Sequence, residues 1–236
     1  MRFSESASDP PAGDMIALFF DIDGTLLLAN SGGPAMAVAA ERVFGAALDR
    51  YDIPFSGRTD AAISRAYHEA HSAAWTAERR SAFRDAYLHA LPHALQTGGG
   101  RRLPGVTALL DEVSGRPDVT LGLLTGNFAA GARAKLSHFN FSEYFDFSIG
   151  GYGDDSTDRN DVAAAAVAKL PDGVETTWVI GDTPADVTCG KSVGAKTLAV
   201  ATGSHSLEEL ADCDADLLLP DLSDTQAVLR GLGLSG

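Results

Sequence analysis

Short runs of almost wholly apolar residues punctuate the chain, and most give way to glycine, threonine or aspartate. Met15 to Phe20 runs into Asp21-Ile22-Asp23-Gly24-Thr25, and Val119 to Leu124 runs into Thr125-Gly126-Asn127. Phe145 to Ile149 meets Gly150-Gly151, Thr177 to Ile180 meets Gly181-Asp182-Thr183, Leu198 to Ala201 meets Thr202-Gly203, and Asp216 to Leu219 meets Pro220. Runs this short and this apolar predict strands buried on both faces, as in a parallel sheet. Between them the apolar positions recur at helical spacing: Val106 to Val113, Ala129 to Phe139, and the alanine-rich Asp161 to Leu170. Strands alternating with helices predict an α/β fold, a doubly wound, Rossmann-like parallel sheet with right-handed crossovers. Ligands of such sheets sit beyond the carboxyl ends of the strands, where the polar tails of these runs would meet.

The interval between the first two strands breaks the rhythm. From about Asn30 to Leu103 it is far longer than an ordinary crossover, and most of it reads as helix. Pro34 starts one predicted helix through Leu48, and Thr59 caps a second through Ala73. Ala77 to Leu95 forms a third, which Pro92 should kink or divide. Gly98-Gly99-Gly100 reads as a flexible joint. The expected organisation is a loose N-terminal tail over residues 1–14, an α/β core over 15–29 and 104–236, and a small helical cap over 30–103.

Composition narrows the function. The formal net charge of −14 argues against a nucleic-acid backbone as partner. No apolar run reaches the ~20 residues of a membrane span. Two cysteines, Cys189 and Cys213, are too few for a disulfide framework and read as reduced thiols. These features favour a cytoplasmic protein without a membrane partner. Oligomeric state, monomer or homodimer, is left open.

The chemistry concentrates at the strand ends. Asp21 and Asp23, one residue apart after a buried strand, can line one pocket, and a carboxylate is a competent nucleophile toward phosphorus. Asp23 is then free to act as general acid and base, and Gly24 permits the sharp turn that follows. Asp182 and Asp186 would complete an acidic cluster at the same edge, and gathered carboxylates repel one another unless a cation joins them. His68 with His71, and His89 with His93, share helix faces, but no third ligand accompanies either pair.

The motif Asp21-Ile22-Asp23-Gly24-Thr25, Thr125, and Gly181-Asp182-Thr183-Pro184-Ala185-Asp186, in this order, resemble the haloacid dehalogenase (HAD) superfamily, in its phosphatase branch with a helical cap. The likeness spans roughly Ile16 to Gly203 and is closest to phosphoglycolate-phosphatase-like members. It implies a Mg2+-dependent phosphomonoester hydrolase acting on a small phosphorylated metabolite through an aspartyl phosphate on Asp21. It further implies Mg2+ ligation by Asp21, the backbone carbonyl of Asp23, and Asp182, with Asp186 binding through water or holding the other ligands in place. Thr125, Gly126 and Asn127 would bind the phosphoryl group. Where the family usually carries lysine, this chain offers Arg159; Lys135 and Lys169 read as surface residues. Ser56-Gly57-Arg58-Thr59-Asp60 resembles the family's cap segment, so Arg58 either meets a substrate anion or lies on the surface beside a helix start. The cap interval holds no lysine, against Schiff-base phosphonatase chemistry. A phosphomutase of the β-phosphoglucomutase kind and a non-catalytic regulatory protein are the alternatives.

Overall fold

The computed structural model describes residues 15–46 and 53–234. The expected N-terminal tail lies outside them, as do Ala47 and Leu48; the first cap helix, expected through Leu48, already stops at Phe44, where Gly45 takes a left-handed φ of +77°. The core is a six-stranded, all-parallel sheet in the order β5-β4-β1-β6-β7-β8. Its strands are β1 (Met15–Phe20), β4 (Val119–Leu124), β5 (Gly150–Gly151), β6 (Val174–Gly181), β7 (Lys196–Val200) and β8 (Leu217–Leu219). The helices α4 (Val106–Val113), α5 (Ala129–His138), α6 (Arg159–Val167), α7 (Pro184–Ser192), α8 (Leu207–Ala211) and α9 (Thr225–Leu232) connect or follow them.

Burial on both faces follows from the strand alternation. Leu18 and Phe20 of β1, with Trp178 and Ile180 of β6, enter one apolar cluster beside α4 and α9. Phe19 and Val179 point the other way, against Val162, Ala163 and Cys189 of α6 and α7. Each such large side chain, fully withdrawn from water, contributes about 1.5–3 kcal/mol. The chain leaves β1 for β4 on one side and reaches β6 on the other, so the crevice at the strand ends opens beside β1.

The expected strand at Phe145 to Ile149 is displaced. Only Gly150 and Gly151 pair with β4, and Phe145 packs in the core instead. A Cβ on Gly150 would press on the Leu123 carbonyl at 2.6 Å, so this edge pairs where side chains are missing.

The long interval holds three helices, α1 (Gly32–Phe44), α2 (Asp60–Ala70) and α3 (Ala77–Thr97). They share a second apolar cluster that includes Met36, Ile63, Tyr67, Phe83, Tyr87 and Leu91. Thr59 caps α2 by accepting a hydrogen bond from the Ala62 N–H, as its position predicts. Pro92 does not divide α3, which runs through it unbroken while Leu91, Ala94 and Leu95 stay buried. The glycine triplet is not a loose joint. The chain leaves and re-enters the core through an antiparallel ribbon, β2 (Leu27–Leu28) with β3 (Arg101–Arg102). Gly98 and Gly100 pack so closely on the backbone of Asn30 and Leu28 that a Cβ at either would clash. Among the described residues no helix is long and apolar enough to cross a membrane.

Candidate active site

Asp21, Asp23, Gly24, Thr125, Gly126, Asn127, Arg159 and Asp182 line one pocket of about 530 Å3 at the carboxyl edge of the sheet, and Asp186 borders it through Arg159. Asp21 follows β1 and is buried, and its backbone N–H is tied to the Ile180 carbonyl at 2.9 Å. Gly24 turns the chain with φ of +93°, and Thr25 donates to Asp182 Oδ1 at 3.2 Å. Asp182 follows β6 and lies between two glycines: a Cβ on Gly24 or Gly203 would overlap its carboxylate. Thr202 fixes that wall by donating to the Gly24 carbonyl at 2.5 Å. Asp186 sits on the first turn of α7, where Thr183 and Asp186 form a reciprocal capping box.

Asp21, Asp182 and Asp186 each offer a carboxylate oxygen within 4.8 Å of the others. Arg159, the first residue of α6, reaches them with its guanidinium, pairing with Asp186 and standing 3.6 Å from Asp21. Three buried carboxylates against one guanidinium leave an excess of two negative charges. Burial, with the repulsion of Asp186, raises the Asp21 carboxyl to about 7, although Arg159 pulls the other way. Burial, Asp186 and then Asp21 raise Asp182 to about 8. Hard oxygen donors, crowded and doubly charged in excess, fit a divalent cation. Among the described residues neither histidine pair joins such a group. His68 is instead buried between Phe44, Trp75 and Phe83.

Beside this cluster lies a polar network. Asn127 donates from Nδ2 to Thr125 Oγ1 at 2.8 Å and to Asp23 Oδ2 at 2.9 Å. Lys135 is not the surface residue expected. It is 4% exposed, and its Nζ meets Asp23 Oδ2 at 2.5 Å and Asn127 Oδ1 at 2.6 Å. Asn127 and Lys135, eight residues apart, both line the pocket from α5 and its leading turn, while Gly131 between them faces Tyr87 and Leu91 of α3; nothing in the sequence alone tells which side of α5 turns toward Asp23. Lys169 stands apart, half exposed and donating to the Gly150 carbonyl at 2.7 Å.

The segment before α2 closes the pocket from the other side. Arg58 lines it, but its guanidinium donates to the Pro54 carbonyl of its own loop and to the Ala62 carbonyl in the first turn of α2. Gly126 takes the Arg58 backbone so closely that a Cβ there would clash. The Asp60 N–H donates to the Gly126 carbonyl at 2.6 Å, and Asp60 Oδ2 accepts from the Phe128 N–H at 2.8 Å. Burial raises the Asp60 carboxyl to about 6, against the pull of Lys135. In the sequence Asp60 stands out only as a helix start and as the last residue of the segment that resembles the family's cap, and neither points to a bond with the Phe128 N–H.

The parallel sheet with acidic groups at its carboxyl edge defines a class before it defines a protein. The chain belongs to the haloacid dehalogenase-like hydrolase family, whose profile matches residues 18–191; a second, HAD-hydrolase-like profile matches residues 159–225. Among curated proteins it is similar to the "Probable phosphatase IndB" of Dickeya dadantii (strain 3937), 22% identical over 223 residues that cover 91% of this chain and 94% of the relative. Its fold matches a family IA, variant 3 HAD hydrolase from Entamoeba histolytica with a TM-score of 0.72 at 16% identity, covering 93% of this chain and 100% of that one. It also matches a predicted phosphoglycolate phosphatase from Haemophilus somnus 129PT, with a TM-score of 0.60 at 14% identity, covering 92% and 98%.

Proposed function

We propose that this chain is a magnesium-dependent phosphatase of small phosphomonoesters that works through a phosphorylated Asp21. One observation carries the reading: the Asp21 carboxylate shares a cation-sized cluster with Asp182 and Asp186 while standing 3.6 Å from the Arg159 guanidinium. Asp21, the backbone carbonyl of Asp23, and Asp182 would hold the magnesium ion, with Asp186 orienting them. When bound, the ion supplies positive charge that lets carboxylate and phosphate approach one another.

Asp21 attacks phosphorus, and the ester P–O bond breaks as Asp23 protonates the leaving oxygen. Asp23 then takes a proton from the water that frees phosphate and restores Asp21. Arg159 faces the transferring group as a fixed cation, and Thr125 and Asn127 offer hydrogen bonds beside it. The helical insertion acts as a cap, and a pocket of about 530 Å3 suits a metabolite rather than a macromolecule. Phosphate release from a panel of sugar and organic-acid phosphates, with and without Mg2+, tests this. Wild type should release phosphate only with the ion, and Asp21→Asn should lose at least ~10³-fold. Isomerised phosphate esters without release would make it a mutase; turnover surviving in Asp21→Asn would remove the assigned nucleophile.

A further inference from the structure

Lys135 is buried on α5, four residues beyond Gly131, which faces α3 of the helical insertion. A Cβ on Gly131 would lie 3.5 Å from Tyr87 and 3.6 Å from Leu91. An ammonium withdrawn into such a seam is costly unless it is fully paired. Here it is paired with the two groups nearest the proposed proton transfer. Asp23 Oδ2 receives Lys135 Nζ at 2.5 Å and Asn127 Nδ2 at 2.9 Å, so one carboxylate oxygen is tethered by donors on α5 and on the turn before it. Lys135 also holds Asn127 Oδ1 at 2.6 Å, which fixes the amide so that Nδ2 faces Asp23 and Thr125. Asp23 Oδ1 accepts no hydrogen bond from the described residues, and the side chain remains 39% exposed toward the pocket.

We propose that Lys135 is a positioning residue for proton transfer: with Asn127 it tethers Asp23 Oδ2, leaving Oδ1 turned to the leaving-group oxygen. This rests on the phosphatase reading above. As Asp21 forms its bond to phosphorus, the electron pair of the breaking P–O bond goes to the leaving oxygen, which takes the proton from Asp23. Water later forms the new P–O bond, gives its proton back to Asp23, and the Asp21–phosphorus bond breaks. A misdirected carboxyl harms the first step in proportion to how much the leaving oxygen needs its proton. An alkoxide needs it; a nitrophenolate leaves without it.

The experiment is therefore single-turnover release of the leaving group, with enzyme and Mg2+ in excess, from an alkyl phosphate and from p-nitrophenyl phosphate. Lys135→Met should slow alcohol release about 100-fold and nitrophenolate release less than about tenfold. Lys135→Arg, which restores a donor cation, should recover most of the alcohol release. Lys135→Gln, which keeps a polar donor in the seam, is read in the same way should the methionine variant fold poorly by thermal melt. Equal losses on both substrates, or no loss on either, would overturn the positioning role while leaving the phosphatase reading intact. A wild type that turns over neither substrate with Mg2+ would instead remove the phosphatase reading, and this role with it.

Discussion

At the scale of single residues, the site is governed by charge held out of water. The Asp21 carboxyl stands at about 7 and Asp182 at about 8, both raised first by burial and then by neighbouring carboxylates. Both folded values lie above those of an unfolded chain, so the stability from their protonated forms is full at acid pH and is lost as pH rises through about 7 and 8. A bound dication removes that loss, because it favours the ionised forms and releases their protons. The rise in melting temperature caused by Mg2+ should therefore be small at pH 6 and grow toward pH 8.5. An increment that stays flat across that range, measured by thermal melts at matched ionic strength, would contradict the assigned cluster. The acidic pair motifs were legible in the sequence because the first carboxylate of each, Asp21 and Asp182, directly follows a buried strand. Lys135 was not, because its role depends on which face of α5 turns toward Asp23, and that is decided by packing against α3. Arg159, read as the basic partner of Asp21, does reach it, but it pairs first with Asp186.

At the scale of elements, strands were easier to read than helix ends. The runs at β1 and β4 match the observed strands residue for residue, because burial on both faces leaves them apolar but for the part-buried Thr120 near the start of β4. The run at Phe145 misled because aromatic side chains are equally at home in a core loop, where Phe145 meets Phe20 edge-on with ring centres 6.0 Å apart. Pro92 misled for a different reason. Proline removes one helical N–H and crowds the preceding turn, at a cost of ~3 kcal/mol in a helix interior. The burial of Leu91, Ala94 and Leu95 around it holds the helix together regardless. Pro92 itself is exposed, so Pro92→Ala should relieve the strain without leaving a cavity. A gain of about 1–2 kcal/mol in urea unfolding is expected, with activity unchanged. A loss of stability would mean that α3 is bent to fit α1 and needs the proline to stay so.

At the scale of the whole molecule, the insertion and the core are joined by an apolar seam, in which Phe128 packs edge-on to Tyr87, and by a short set of hydrogen bonds. The segment from Ser56 to Asp60 touches three core loops, those that hold Ser204, Thr157 and Gly126. Ser56 and Ser204 share a hydrogen bond at 3.0 Å, Thr59 Oγ1 donates to the Thr157 carbonyl at 3.3 Å, and the Asp60 N–H donates to the Gly126 carbonyl. These hydrogen bonds fix where the segment lies over the pocket that Asp21 lines. Asp60 adds a buried bond to this set: its Oδ2 accepts the Phe128 N–H at the start of α5, the helix that also carries Lys135. Burial raises this carboxyl to about 6, which marks its charge as a cost and its acceptor oxygen as the useful part. Asp60→Ala leaves the Phe128 N–H without a partner, a penalty of about 1–3 kcal/mol that falls on the closed form. Because closure assembles the substrate wall and the reacting groups lie in the core, the penalty should appear as a KM raised about tenfold or more, with kcat within a few-fold. Asp60→Asn keeps an acceptor and should restore the KM. Steady-state kinetics of the two variants on one substrate decide the matter: a fall in kcat at constant KM, or identical behaviour of Ala and Asn, would show that Asp60 does not latch the insertion to the core.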